Sequence, residues 1–131
     1  MGKVMREYRQ NQREQWRRKT EITSRPKVYV VSRYAGEVSR NVENARKYCR
    51  FVAQQKRIPI ASHLIYPQFM NDNDPAEGEL GTMFGLALLA QCDEVWCFGT
   101  TKSAGMTQEL HEASRLKKRV RFFTAELDEI K

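Results

Sequence analysis

The stretch KVYVVSRY, residues 27–34, decides the fold class, because its first half is β-branched and almost continuously apolar. A strand of this composition is buried on both faces, as strands in parallel sheets are. Three more strand-like segments follow at 58–65, 93–99 and 119–123, with helical segments between them. The alternation predicts one doubly wound α/β domain, Rossmann- or flavodoxin-like, with a parallel sheet of about four to five strands and helices on both faces.

The order of the strands determines where a ligand would bind. An order of 2-1-3-4 opens a crevice at the carboxyl ends of the first and third strands, where the direction of winding reverses. Helices are expected at 40–56, at about 78–91 and after the loop that follows the third strand. Residues 125–131 are expected to form a short acidic tail or a helical turn.

Positive charge is concentrated at the N-terminus. Residues 1–25 hold eight Lys or Arg and three Glu, whereas residues 26–131 carry a net charge of only +2. We therefore separate a basic tail or helix at 1–25 from an α/β domain at 26–131, and we do not expect nucleic acid as the main partner. The tail is interpreted as a solvated helix, a helix that docks on a partner subunit through Tyr8 and Trp16, or a phosphate-binding arm.

Several classes of protein are disfavoured by what the sequence contains. No apolar run approaches the roughly 20 residues that span a bilayer, and the N-terminus has no apolar signal-peptide core. Cys49, Cys92 and Cys97 lie in apolar segments without C-x-x-C spacing, as reduced core thiols do. We expect a cytoplasmic protein with no membrane partner, no metal and no cofactor.

The helix at 78–91 is apolar around almost its whole circumference, through Leu80, Met83, Phe84 and residues 86–90. A helix of this kind is buried on more than one side. In a chain of this size we expect the second side to contact another subunit, which predicts a homo-oligomer, a dimer or larger.

Glu109 interrupts the apolar face of the helix that follows the third strand. At 3.6 residues per turn it falls among Met106, Leu110, Ala113 and Leu116. Its i+3 and i+4 positions hold no Lys or Arg. Two interpretations stay open: a carboxylate at the edge of the face that reaches solvent or a distant arginine, or a partly desolvated carboxylate at the crevice.

The loop before this helix suits a ligand. Ser103 is expected to cap the helix, and Gly105 lets a ligand approach the backbone closely. The N-terminal end of a helix also favours a nearby anionic group.

Residues 105–113, GMTQELHEA, resemble the G-T-x-x-E-x-G-x-A pattern of the nucleoside 2-deoxyribosyltransferase family, with His111 in place of the second glycine. The chain is also similar to a branch of small domains of this kind in three further blocks: YAG at 34–36, H-L-x-x-P-Q-F at 63–69 and DNDP at 72–75. The resemblance covers residues 27–124.

The resemblance implies that Glu109 attacks C1′ of a nucleoside or nucleotide, releases the base and forms a glycosyl ester that water or a second base opens. Asp72 and Asp74 are then candidate acids or binders of sugar hydroxyls, unless they form only a solvated turn. Tyr34 would orient Glu109, stack on the base or pack at the strand end. A neighbouring subunit would complete the site.

The remaining candidates are predicted to bind substrate, and several have a structural alternative. His63 is a general acid or a buried structural imidazole, Arg33 holds a phosphate or is solvated, and Asn41 contacts the ligand or caps a helix. The predicted substrate-binding set is Ser32, Arg33, Gly36, Asn41, His63, Gly99, Ser103, Gly105 and Met106.

The sequence departs from the family after the third strand. Residues 98–101, FGTT, stand where characterised transferases commonly carry an Asp that reads the base. We therefore keep a non-catalytic nucleotide-binding domain, a sensor or a sponge, as the alternative to an N-glycosyl enzyme. A nucleic-acid-binding protein driven by the basic tail is the third hypothesis.

Overall fold

The computed structural model describes residues 2–131 and contains one five-stranded sheet. The strand order is β2-β1-β3-β4-β5, with the first four strands parallel and the last antiparallel to its neighbour. The predicted α/β class is confirmed, and the observed order contains the 2-1-3-4 arrangement for which a crevice between β1 and β3 was described. The strands are β1 (Lys27–Val31), β2 (Ile58–Ile60), β3 (Glu94–Phe98), β4 (Arg119–Phe123) and β5 (Glu129–Ile130).

Helices cover both faces of the sheet because side chains alternate along its central strands. On one face Val28, Val30, Trp96 and Phe98 pack against the helix that follows β1, α2 (Val38–Gln54). On the other face the intervening residues of β1 and β3 form a second core with side chains from the two helices that flank β3 in sequence. The four helices are α1 (Gly2–Thr23), α2 (Val38–Gln54), α3 (Pro75–Ala90) and α4 (Ala104–Arg115).

The second predicted strand is shorter than expected. It ends at Ile60, and 3₁₀ turns at Ser62–Leu64 and Tyr66–Gln68 replace the rest of 58–65 and the start of the next loop. Pro59 lies within β2 and lacks a backbone N–H, which is tolerated because β2 is an edge strand. The turns place the chain after β2 beside the carboxyl ends of the central strands.

The prediction of a tail or helical turn at 125–131 is wrong. The chain reverses after β4, the Thr124 N–H donates to the Asp128 carbonyl at 2.8 Å, and β5 pairs with β4. Arg121 and Glu129 reinforce the pairing with an ion pair of 2.7 Å. The free edge of β4 offers backbone donors and acceptors that a short antiparallel strand satisfies.

Residues 2–23 form one helix, α1, and bury none of their side chains. Val4, Met5, Tyr8 and Trp16 are all exposed. The helical form agrees with the sequence, whereas docking on a partner or on phosphate stays a prediction. Among the helices of the described chain, none has both the length and the apolar character that a bilayer crossing requires.

The helix α3 is apolar on two sides, but this chain covers only one of them. Gly85 and Leu89 are buried against the body of the domain, whereas Leu80, Met83 and Phe84 are 44%, 58% and 36% exposed. A single chain therefore buries only one side of α3, and the homo-oligomer stays a prediction.

Candidate active site

Glu109 lies on the inner face of α4 and is 8% exposed. The helix begins where Ser103 Oγ accepts the Met106 N–H at 3.3 Å, which fixes the first turn. Met106 and Ala113 are buried on the same face as Glu109, as the helical spacing predicts. Of the two interpretations, solvent exposure is excluded, and no arginine or lysine of residues 2–131 forms an ion pair with Glu109.

A buried hydroxyl pair orients the Glu109 carboxylate. The Tyr29 hydroxyl, in the middle of β1, donates a hydrogen bond to Glu109 Oε2. Ser62 Oγ lies 2.8 Å from the same hydroxyl. Because the phenol proton is directed at Glu109, Ser62 acts as the donor to Tyr29. The strand after which the crevice opens therefore holds the carboxylate in place.

A glycine on α3 makes room for this arrangement. A Cβ built on Gly85 would lie 3.2 Å from the Tyr29 hydroxyl and 3.3 Å from Ser62 Oγ. These distances are tighter than ordinary van der Waals contact, so a larger residue would displace the hydroxyl pair.

Burial changes the proton affinity of the carboxylate. The pKa of Glu109 is raised from its ordinary value of 4.5 to about 7, because burial disfavours the charged form more than the Tyr29 hydrogen bond favours it. The pKa of Tyr29 is far above its usual range because of burial and of the neighbouring carboxylate. Near neutral pH the carboxylate is therefore poorly hydrated and close to its titration point.

A cavity of about 280 Å³ opens beside Glu109. Its walls come from the segments that follow β1, β2 and β3 and from the inner face of α3, which is the position expected for a ligand in a doubly wound sheet. Its lining residues are Tyr34, Ala35, Ser62, His63, Tyr66, Pro67, Asp72, Gly78, Gly81, Thr82, Gly85, Gly105 and Glu109.

A second polar cluster forms another part of the cavity wall. The Tyr34 hydroxyl donates to Asp72 Oδ2 at 2.7 Å, and the Tyr34 ring stacks on His63 with centroids 4.6 Å apart. Burial and Asp72 raise the pKa of Tyr34 to about 12. Burial lowers the pKa of His63, so its imidazole is neutral at physiological pH. The cluster presents an acceptor, Asp72, and an aromatic surface to the cavity.

Five of the predicted site residues line the cavity, namely Tyr34, His63, Asp72, Gly105 and Glu109. The others support its walls or lie away from it. Asn41 donates its side-chain amide to the backbone carbonyls of Tyr34 and Ala35 at 2.9 and 3.2 Å. The predicted residues outside the lining are Ser32, Arg33, Gly36, Asn41, Asp74, Gly99, Ser103 and Met106.

Asp74 and Tyr34 have contacts that differ from their predicted roles. The Asp74 carboxylate accepts the Ala76 N–H at 3.3 Å and caps α3, because the following Pro75 starts that helix. Tyr34 contacts Asp72, whereas Tyr29 makes the contact with Glu109 that was one of the three roles considered for Tyr34. The two tyrosines thus hold one carboxylate each.

Three residues of the site, Tyr29, Ser62 and Tyr66, were not predicted from the sequence. Tyr29 could have been found, since a hydroxyl in the middle of a strand buried on both faces requires a hydrogen-bonding partner. Ser62 and Tyr66 carry no comparable sign, because they lie in the segment that was predicted as a strand and a loop.

Comparisons with known proteins agree with this architecture. The model of a family described as "Domain of unknown function (DUF7768)" matches residues 26–123. The comparison with curated proteins gave no match. Among solved structures, the chain is similar to a 2-deoxyribosyltransferase from Bacillus psychrosaccharolyticus with a TM-score of 0.62 and 15% identity, covering 75% of this chain and 72% of that one.

Two further solved structures are similar at lower scores. A 2-desoxiribosyltransferase from Leishmania mexicana has a TM-score of 0.56 and 11% identity, covering 76% of this chain and 64% of that one. A CMP N-glycosidase from Clostridium botulinum, BcmB, has a TM-score of 0.48 and 15% identity, covering 75% and 68%. At these identities the similarity to the transferases shows a common fold, which is the fold that the sequence motifs implied.

Proposed function

The chain belongs to the DUF7768 family, and we propose that it cleaves or transfers the N-glycosidic bond of a nucleoside or nucleotide, with Glu109 as the nucleophile. The observation that carries the proposal is the position of this carboxylate. It is 8% exposed, has no cationic partner among the described residues, and lines a cavity at the carboxyl ends of the parallel strands. A buried carboxylate costs folding energy, which favours a catalytic use for it.

The geometry supports a two-step displacement. Glu109 attacks C1′ as the bond to the base breaks, which forms a glycosyl ester on the enzyme. Water or a second base then attacks the same carbon and regenerates the carboxylate. Weak hydration makes the carboxylate a stronger nucleophile, and Tyr29 holds it in the orientation for attack.

The other cavity groups would bind the sugar. Asp72 accepts a hydrogen bond from Tyr34 and has oxygen lone pairs left for a sugar hydroxyl. We assign it to binding because the Tyr34 hydroxyl fixes the orientation of its carboxylate at the cavity wall. Ala35 and Gly105 allow close approach of the ligand to the backbone.

Release of the base from a panel of ribonucleosides, deoxynucleosides and their 5′-monophosphates, followed by chromatography, tests the proposal. The wild type should release at least one base, and Glu109→Gln should lower kcat by about 1,000-fold or more. Glu112→Gln, which changes a carboxylate of the same helix outside the cavity lining, is the matched control and should keep wild-type activity. Equal rates for wild type and Glu109→Gln would contradict the proposal, whereas binding without turnover would favour the nucleotide-binding alternative.

We also propose that the outer face of α3 pairs with a second copy of this chain. Leu80, Met83 and Phe84 form an exposed apolar face on the helix whose inner side lines the cavity, and Phe69 beside it is 69% exposed. Pairing there would bring a second subunit to the mouth of the site. The free thiols of all three cysteines are consistent with the cytoplasmic location that we propose.

Light scattering after size exclusion tests the pairing. The wild type should elute as a dimer or larger, and Met83→Glu should elute as a monomer, because a charge cannot be buried unpaired in that face. Lys47→Glu, on the opposite side of the sheet, is the control. A monomeric wild type would contradict the pairing and leave the chemistry of Glu109 untouched.

A further inference from the structure

The charged side chains that line the cavity are all acidic. Glu109 and Asp72 are its charged lining residues, and no Lys or Arg belongs to the lining of the described chain. Arg33 and Arg40 flank the loop after β1 but do not line the cavity, and Arg40 pairs with Glu37. Two carboxylates around one cavity create a negative potential that attracts cations and repels anions.

The hydroxyl protons around Glu109 are already engaged. The Tyr29 hydroxyl donates to Glu109, and Ser62 donates to Tyr29. The Tyr34 hydroxyl donates to Asp72. Thr82 Oγ1 donates to a helix carbonyl at 3.1 Å. None of these groups is free to protonate a departing base.

The imidazole of the cavity is a poor proton donor. Burial lowers the pKa of His63, so the imidazole is neutral near physiological pH. Tyr66 also lines the cavity. A neutral purine or pyrimidine needs a proton as its bond to C1′ breaks, whereas a base with a fixed positive charge leaves without one.

Resting on the function proposed above, we infer that the substrate is a nucleoside whose base carries a fixed positive charge, such as an N-alkylated purine or a pyridinium base. The rings of Tyr34 and Tyr66 add aromatic faces that attract a cation. The carboxylates then favour binding of the base in its charged form.

The bond changes balance without a proton. A Glu109 oxygen forms a bond to C1′, the C1′–N bond breaks, and its electron pair neutralises the positive ring nitrogen. The base leaves as a neutral molecule. Water then opens the ester, releasing the free sugar and one proton and restoring the carboxylate.

A matched pair of substrates tests the inference: 7-methylguanosine, which is cationic, and guanosine, which is neutral. Because the cationic nucleoside also breaks down faster unaided, kcat/KM for each is divided by its own rate of spontaneous hydrolysis. This ratio should be about 100-fold larger for 7-methylguanosine. An equal or larger ratio for guanosine would overturn the inference but keep the proposed function. If no nucleoside or nucleotide, cationic or neutral, releases its base, the proposed function itself is overturned.

The charge of Asp72 provides a second readout. Asp72→Asn should lower the preference for 7-methylguanosine over guanosine by about tenfold, because one of the two negative charges is lost. Glu79→Gln removes an exposed charge from α3 outside the cavity lining and should leave the preference unchanged. A preference that Asp72→Asn does not change would contradict selection by charge.

Discussion

Replacement of Glu109 by Gln should stabilise the protein in a strongly pH-dependent way. The pKa of Glu109 is about 7 in the folded chain and 4.5 in its ordinary state. For an acid with a raised pKa, the folded state holds the proton more tightly than the unfolded state does. The protonated carboxyl group therefore contributes stability that is fully present below pH 4.5 and is lost as the pH rises through 7. A difference of roughly 2.5 pKa units corresponds to about 3 kcal/mol.

Urea unfolding of the wild type and Glu109→Gln measures this loss. At about pH 8 the variant should be more stable by about 3 kcal/mol, whereas at about pH 4 the two should differ little. Glutamine has nearly the same shape and still accepts the Tyr29 hydrogen bond, so packing is preserved.

A control on the same helix has the opposite sign. The Arg115 guanidinium beside Glu112 lowers the pKa of that half-buried carboxylate, so the Glu112→Gln variant should be a little less stable than the wild type near neutral pH. If the difference between wild type and Glu109→Gln does not change with pH, the carboxylate is well hydrated and the reasoning about its burial is refuted.

Three further substitutions test the surroundings of the site. Tyr29→Phe removes the hydrogen bond that lowers the pKa of Glu109. The pH at the midpoint of the kcat/KM profile should therefore rise by about one pH unit. An unchanged profile would contradict the positioning role of Tyr29. Asp74→Ala removes the cap of α3 and should lower the free energy of unfolding in urea by about 1 kcal/mol, whereas Asp74→Asn, which can still cap the helix, should keep wild-type stability. An unchanged stability of Asp74→Ala would show that the cap is unimportant. Gly85→Ala should lower kcat by crowding the Tyr29 hydroxyl. Gly81→Ala, which adds a methyl group to the cavity wall where the nearest atom is a methionine sulfur 3.9 Å away, should lower kcat less; equal effects would argue against the crowding.

The fold could be predicted where burial leaves a periodic pattern. Val28–Val31 and all of β3 are buried, and their apolar runs indicated central parallel strands. The two-residue strand β5 was not predictable, because Glu129 and Ile130 have no pattern of their own and pair only through the free edge of β4. The early end of β2 follows from its position at the edge of the sheet, which the sequence does not display.

The site was predictable only in part for a related reason. Glu109 stands out because it interrupts an apolar helical face. Its partner Tyr29 does not stand out in this way, since an aromatic residue in an apolar strand is usually part of the core. The contact joins residues 80 positions apart, and the Tyr29–Ser62 contact joins residues 33 apart. Such contacts depend on the order of the strands, and only the folded chain brings them together.

Capture of the glycosyl ester tests the central claim most directly. A nucleoside with fluorine at C2′ slows opening of such an ester, so incubation of the wild type with this analogue, followed by peptide mass spectrometry, should find one sugar attached to Glu109. Glu109→Gln should carry none. Base release without any sugar on Glu109, or the same adduct on Glu109→Gln, would contradict the account.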